Sequence, residues 1–217
     1  MRETPGLPPT SQPPVRPLPQ TPHSPKFINR RVRTLLVKGK SIEELLVDLR
    51  TELRSRDIVV RESVVLSSGI PSDFYIDVKK AMSDPHIIDT ISTILTRKIE
   101  LSGYEPSFVA CSGYGGLPIA AALSIKTGMK LTALRDSPRK HGIKKGEMLE
   151  FYIPKKGDLG VIVDDVFTTG SSVLKIYNAV ASTGAEITAA YVVIKRGEYP
   201  KNFPLRSEHI YEAADIL

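Results

Sequence analysis

The 217 residues hold a single cysteine, Cys111, so no disulfide can close within the chain, which fits a reducing compartment. Long apolar runs are missing as well. None approaches the roughly 18 to 20 residues that a membrane-spanning helix needs, and the N-terminal stretch lacks the continuous apolar core of a signal peptide. These absences point to a cytoplasmic protein with no membrane partner. His23, His86 and His209 stand apart from one another, and no His/Cys cluster has zinc-ligand spacing. Neither G-x-G-x-x-G nor G-x-x-x-x-G-K-[ST] occurs, which removes the main support for dinucleotide-binding and Walker-type readings.

What is present is unevenly distributed. The formal charge is +6, but residues 1–40 carry eight Lys or Arg against Glu3 alone, a net of +7 that leaves −1 for the other 177 residues. The basicity therefore belongs to one end, and a uniformly basic nucleic-acid-binding domain is not indicated. The same end holds nine of the seventeen prolines within its first 25 residues. With almost no bulky apolar side chains it cannot build a core, so residues 1–40 read as a disordered, Pro-rich basic tail. Residues 41–217 read as one folded domain.

Within that domain, "SIEELLVDLRTELRSR" opens with a capping box, Ser41 and Glu44, and repeats apolar residues at helical spacing. "IVVRESVVLSSGIPSDFYIDVKKA" reads as short β pieces around a Ser-Gly-Pro turn, and "DPHIIDTISTILTRKIELSG" as a helix ending at Gly103. Strands and helices then alternate: "SFVACS", "LPIAAALSIKTG", "KLTAL", a charged loop, "GVIVDD", "SSVLKIYNAVASTG" and "ITAAYVVIKR". Such alternation predicts an α/β fold with a central, mainly parallel sheet flanked by helices.

Ligands of such sheets bind at the carboxyl ends of the strands. "VACSGYGGLP" ends one strand in a Gly-rich turn, which suits an anion or is simply a tight strand-to-helix connection. "VIVDDVFTTGSS", Val161 to Ser172, says more. Thr168, Thr169, Gly170, Ser171 and Ser172 combine hydroxyls with the amides of a helix N-terminus, a cradle for a phosphate monoester. Asp164 and Asp165 offer acceptors, able to hold sugar hydroxyls or a hydrated Mg²⁺. A phosphate site beside a diol site describes a ribose 5-phosphate.

This stretch resembles the phosphoribosyl-diphosphate (PRPP) binding motif of type I phosphoribosyltransferases. The resemblance implies that Asp164 and Asp165 hold the ribose hydroxyls, that Thr168 through Ser172 hold the 5-phosphate, and that Val166 and Phe167 belong to the same substrate-binding run. Three further segments resemble orotate phosphoribosyltransferases within that family. "LSSGIPSDFYIDVKKAMSDP" (66–85) is similar to their N-terminal hood, "LRDSPRKHG" (134–142) to their mobile catalytic loop, and "VVIKRGE" (192–198) to a late strand whose arginine meets the orotate carboxylate. The domain then divides into a helix-and-hood part, 41–85, and a PRPP-binding core, 105–198. The match implies that Arg135, Arg139, Lys140 and His141 serve the diphosphate leaving group, that Arg139 and His141 act in catalysis with the acidic pair, that Thr168 and Arg196 meet orotate, and that Tyr75 walls the base pocket. It further implies Mg²⁺ as cofactor, bridging diphosphate and ribose oxygens, and a symmetric homodimer whose loop reaches the neighbour's site.

The sequence departs from the pattern in places. Asp136 stands where the loop pattern has a lysine, Arg139 where it has a second lysine, and Gly115 where a diphosphate-loop lysine is common. The expected activity is transfer of the phosphoribosyl group of PRPP to orotate, giving orotidine 5′-monophosphate and diphosphate. Two alternatives keep the fold: transfer to another base, and a PRPP- or nucleotide-sensing regulator, which Asp136 and the basic tail suggest.

Overall fold

The computed structural model describes residues 39–65, 71–138, 140 and 146–217. Residues 1–38 of the Pro-rich tail, the "LSSGI" of the hood motif, and Arg139 and His141 of the charged loop lie outside the described residues.

Helix α1 (Ile42–Ser55) starts where its capping box predicts: Ser41 accepts from the Glu44 amide, and Glu44 accepts from the Ser41 amide. It buries Leu45, Leu49 and Leu53 on one stripe, each stabilising the fold by about 2 kcal/mol. Four two-residue strands follow, β1 (Val59–Val60), β2 (Val64–Val65), β3 (Pro71–Ser72) and β4 (Tyr75–Ile76); β1 pairs with β4 and β2 with β3, both antiparallel. Asp77 caps the short α2 (Val78–Ala81). Asp84, with proline at the next position, starts α3 (Pro85–Leu101).

The rest of the chain builds a six-stranded sheet from β5 (Phe108–Ser112), α4 (Gly113–Thr127), β6 (Lys130–Leu134), β7 (Leu149–Phe151), β8 (Leu159–Phe167), α5 (Ser171–Ala181), β9 (Glu186–Lys195) and β10 (Arg206–Glu212). The strand order is β10-β9-β8-β5-β6-β7, parallel throughout except for β7 at the edge. The expected α/β fold with a mainly parallel sheet is what forms. Strand alternation divides the core in two. Val109, Cys111, Val161, Val163, Tyr191 and Val193 face the layer of α1, α3 and α4. Phe108, Ala110, Ile162, Ala190 and Val192 face the layer of α5.

Three boundaries differ from the sequence expectation. Strand β8 runs on through both aspartates to Phe167, so the acidic pair sits within the strand's last turns of pleat. Helix α4 begins at Gly113, so the Gly-rich turn is itself the first helical turn. Strands β7 and β10 carry no apolar run to announce them; β10 is "RSEHIYE", half-buried along most of its length. After β5 the chain passes to β6 on one side, whereas β8 returns to the other side of β5. The crevice at the carboxyl ends of β5 and β8 is thus the switch point of the sheet, where open α/β folds bind ligands.

Candidate functional site

A cavity of about 470 Å³ opens at that switch point, walled by Ser112 and Gly113 after β5, by Asp164, Asp165, Val166 and Thr168 of β8 and its loop, by Ser172 of α5, and by Arg196 after β9. Tyr75, Ile76 and Lys79 close it from the hood side. Segments distant in sequence therefore meet in one crevice.

Asp164 is buried, and its Oδ1 accepts from the Asp165 amide at 3.0 Å. Burial, and then the Asp165 carboxylate beside it, push the Asp164 carboxyl up to about 8. Asp165 Oδ1 accepts from the Val166 amide at 3.0 Å, and its Oδ2 lies 3.6 Å from Lys79 Nζ. Helix α4 can approach this pair only because Gly115 and Gly116 stand in its first turn. A Cβ on Gly115 would stand 2.3 Å from the Asp165 carboxylate, and one on Gly116 2.9 Å from the Val163 carbonyl oxygen.

The loop after β8 bends at Thr168–Gly170 and enters α5. Gly170 caps the helix in the left-handed region, φ +79°, with no side-chain cap hydrogen bond. The first-turn amides of α5 are left for an external acceptor, the arrangement that binds phosphate. Ser171 and Ser172 are exposed, Thr168 and Thr169 half-buried.

Arg196 places its guanidinium 4.1 Å from the centre of the Phe74 ring, and its amide donates to the Phe167 carbonyl at 2.8 Å. Tyr75 accepts a 2.9 Å hydrogen bond from Lys79 Nζ. Burial opposes the charge of that lysine, but the Tyr75 contact and then the Asp165 charge outweigh it and raise its pKa above the ordinary lysine value.

The candidates from the sequence do not all converge. Asp164, Asp165, Val166, Thr168, Ser172, Arg196 and Tyr75 line the cavity; Thr169, Gly170 and Ser171 form the loop and helix start behind it. Phe167 is turned away, buried against Tyr199 (centroids 4.7 Å apart) and Phe203 (5.6 Å), because strand alternation sends it to the α5 core. Arg135 donates to Glu150 Oε1 at 2.7 Å across the β6–β7 pair, and Lys140 is exposed; neither lines the cavity. Sequence reasoning gave no role to Lys79. The available signal was Asp77, whose cap starts a helical turn bearing two lysines; Lys80 reaches the Asp57 carbonyl while Lys79 turns to the cavity. Asp136 lies in the wall. Cys111 is buried, and burial followed by the Asp164 charge pushes its thiol up to about 12, so it is inert. Among the described residues no three His, Cys, Asp or Glu groups converge to hold a metal ion, and no helix is long and apolar enough to cross a membrane.

Fold and site together define an α/β protein in which an acidic pair and a glycine-capped helix start meet in a crevice at the switch point of its sheet. The phosphoribosyl transferase domain model matches residues 80–203, and the chain belongs to that family. It is 40% identical over 134 residues to the orotate phosphoribosyltransferase of Thermococcus gammatolerans, covering 62% of this chain and 69% of the relative. To that of Archaeoglobus fulgidus it is 39% identical over 155 residues, covering 70% and 84%. The crystal structure of orotate phosphoribosyltransferase from Aeropyrum pernix superposes with a TM-score of 0.64 at 31% identity, over 78% of this chain and 96% of that one.

Proposed function

We propose that the chain is an orotate phosphoribosyltransferase, converting orotate and PRPP to orotidine 5′-monophosphate and diphosphate. The observation that carries the reading is the acidic pair, Asp164 buried and Asp165 half-buried, set beside the glycine-capped N-terminus of α5, with Arg196 on the same cavity wall. The names of the archaeal relatives supply the base.

In the reaction the bond from the anomeric carbon to the diphosphate breaks, a bond from that carbon to the orotate ring nitrogen forms, and the nitrogen loses its proton. The transition state is oxocarbenium-like, with charge growing on the leaving diphosphate. In this reading Thr168–Ser172 and the α5 amides hold the 5-phosphate, and Asp164 and Asp165 accept from the ribose hydroxyls. Arg196 meets the orotate carboxylate, and Tyr75 walls the base. Arg139 and His141, outside the described residues, act on the diphosphate, where cationic donors stabilise the developing charge. Arg135 joins them only by leaving Glu150. Carboxylate oxygens are the donors Mg²⁺ prefers, and Asp164 and Asp165 supply two of them. They would hold the ion, which would neutralise phosphate charge. The protein is a cytoplasmic homodimer in this reading.

Asp136 in the cavity wall favours a second reading, a PRPP sensor of low turnover, since a carboxylate facing diphosphate is repulsive. One assay separates them: orotate consumption with PRPP and Mg²⁺, beside an Asp164→Ala, Asp165→Ala control. Turnover that the control loses supports the enzyme. PRPP binding without turnover supports the sensor.

A further inference from the structure

The cavity is not rich in positive charge. Its walls carry three acidic side chains, Asp136, Asp164 and Asp165, of which burial holds Asp164 protonated, and two cations among the described residues, Lys79 and Arg196. A substrate bearing a monophosphate and a diphosphate must be attracted into this space. Arg196 has its guanidinium committed over the Phe74 ring. Lys79 is differently placed. Its Nζ makes one hydrogen bond of ordinary length, 2.9 Å to Tyr75 Oη, and two looser ion pairs, 3.4 Å to Asp77 and 3.6 Å to Asp165. The side chain is 40% exposed, whereas that of Asp165 is only 13% exposed. Ion pairs at these distances are held by charge rather than by directed hydrogen bonds, so exchanging them costs little.

From this geometry we infer that Lys79 is a diphosphate-binding residue, which pairs with Asp165 on the cavity wall and is released to the substrate anion when ribose hydroxyls take its place. The inference rests on the PRPP-binding reading given above. Each step uses a group already in position. The ribose hydroxyls donate to the Asp165 oxygens that loosely held the ammonium. The flexible four-carbon stem, anchored on α2 by the cap of Asp77, lets the ammonium swing without moving the backbone, and its three donors suit phosphate oxygens as a point charge. The bond to Tyr75 ties the same event to the base side of the cavity, so arrival of PRPP also loosens the Tyr75 hydroxyl.

The test is calorimetric titration of the full chain with inorganic diphosphate in Mg²⁺ buffer, and separately with orotate, for wild type, Lys79→Met and Lys79→Arg. The expected result is diphosphate affinity weaker by about 10- to 100-fold in Lys79→Met, with a shallower salt dependence and a matching rise in KM for PRPP. Lys79→Arg restores most of it, and orotate affinity stays within a few-fold. Lys79→Gln, which keeps a donor toward Tyr75, replaces the methionine variant if that one melts early. Wild-type diphosphate affinity in Lys79→Met overturns the inference, as does an equal loss of orotate and diphosphate binding, which marks a merely structural contact. If wild type binds diphosphate and PRPP without consuming orotate, the enzymatic reading fails while Lys79 keeps its role. If wild type binds neither, both fall.

Discussion

Asp164 is the residue where function is set against stability. Its carboxyl is buried and carries a pKa of about 8, against roughly 3.9 in an unfolded chain. A raised carboxylate pKa means that the ligand-free fold prefers the protonated form, so the contribution to stability is full below pH 4 and is lost as pH rises through 8. Asp164→Asn should therefore melt higher than wild type at pH 8.5, by roughly 3 °C or more, and the gap should close on titration to pH 4. A melting difference that ignores pH would remove burial of this charge as its cause. The variant should also weaken PRPP binding, because an asparagine amide keeps one acceptor oxygen where the carboxylate offers two. At this scale the acidic pair and the hydroxyl loop were legible, since one contiguous stretch carries them. The roles of Phe167, Arg135 and Lys79 were not, because each depends on where a side chain turns: into the α5 core, across to Glu150, or onto Asp165.

Among the elements, β8, α5 and β9 were readable from pattern, apolar runs of strand length and an amphipathic helix, while the start of α4 was not. Gly113 turns the chain in the left-handed region, φ +60°, while Gly115 and Gly116 look like turn residues yet belong to the helix because only side-chain-free positions there let it lie against β8. Gly115→Ala should consequently displace the Asp165 carboxylate. PRPP affinity is expected to fall about tenfold or more, with a cost in stability of about 1–3 kcal/mol, read by calorimetry and thermal melting together. Unchanged PRPP affinity would show that Asp165 has room to move. Strands β7 and β10 escaped the sequence reading for a related reason. At the two edges of the sheet they are incompletely covered, so selection for apolar residues is relaxed there and the periodic signal weakens.

For the whole molecule, the proposed shared-site homodimer gives a sharp expectation. A chain bearing Arg139→Ala mixed with one bearing Asp164→Ala should recover activity in the hybrid dimer, since one of its two sites then has an intact loop and an intact acidic pair. Activity no greater than that of either parent would mean that each chain completes its own site. The basic, Pro-rich end is a separate matter, tested by whether any salt-dependent DNA binding vanishes when it is removed. By itself, the sequence determined the α/β class, the mainly parallel sheet, and the acidic pair and hydroxyl-rich helix start of the 161–172 stretch. Those follow from short-range facts, namely strand periodicity and backbone amides at a helix start, which a local run of residues decides. Only the tertiary structure decided that the two aspartates lie inside a strand against the glycines of α4, that Arg196 sits over Phe74, and that Lys79 and Asp136 share their cavity. Those juxtapositions join segments far apart in the chain, and sheet order and helix packing, not local propensity, bring them within reach.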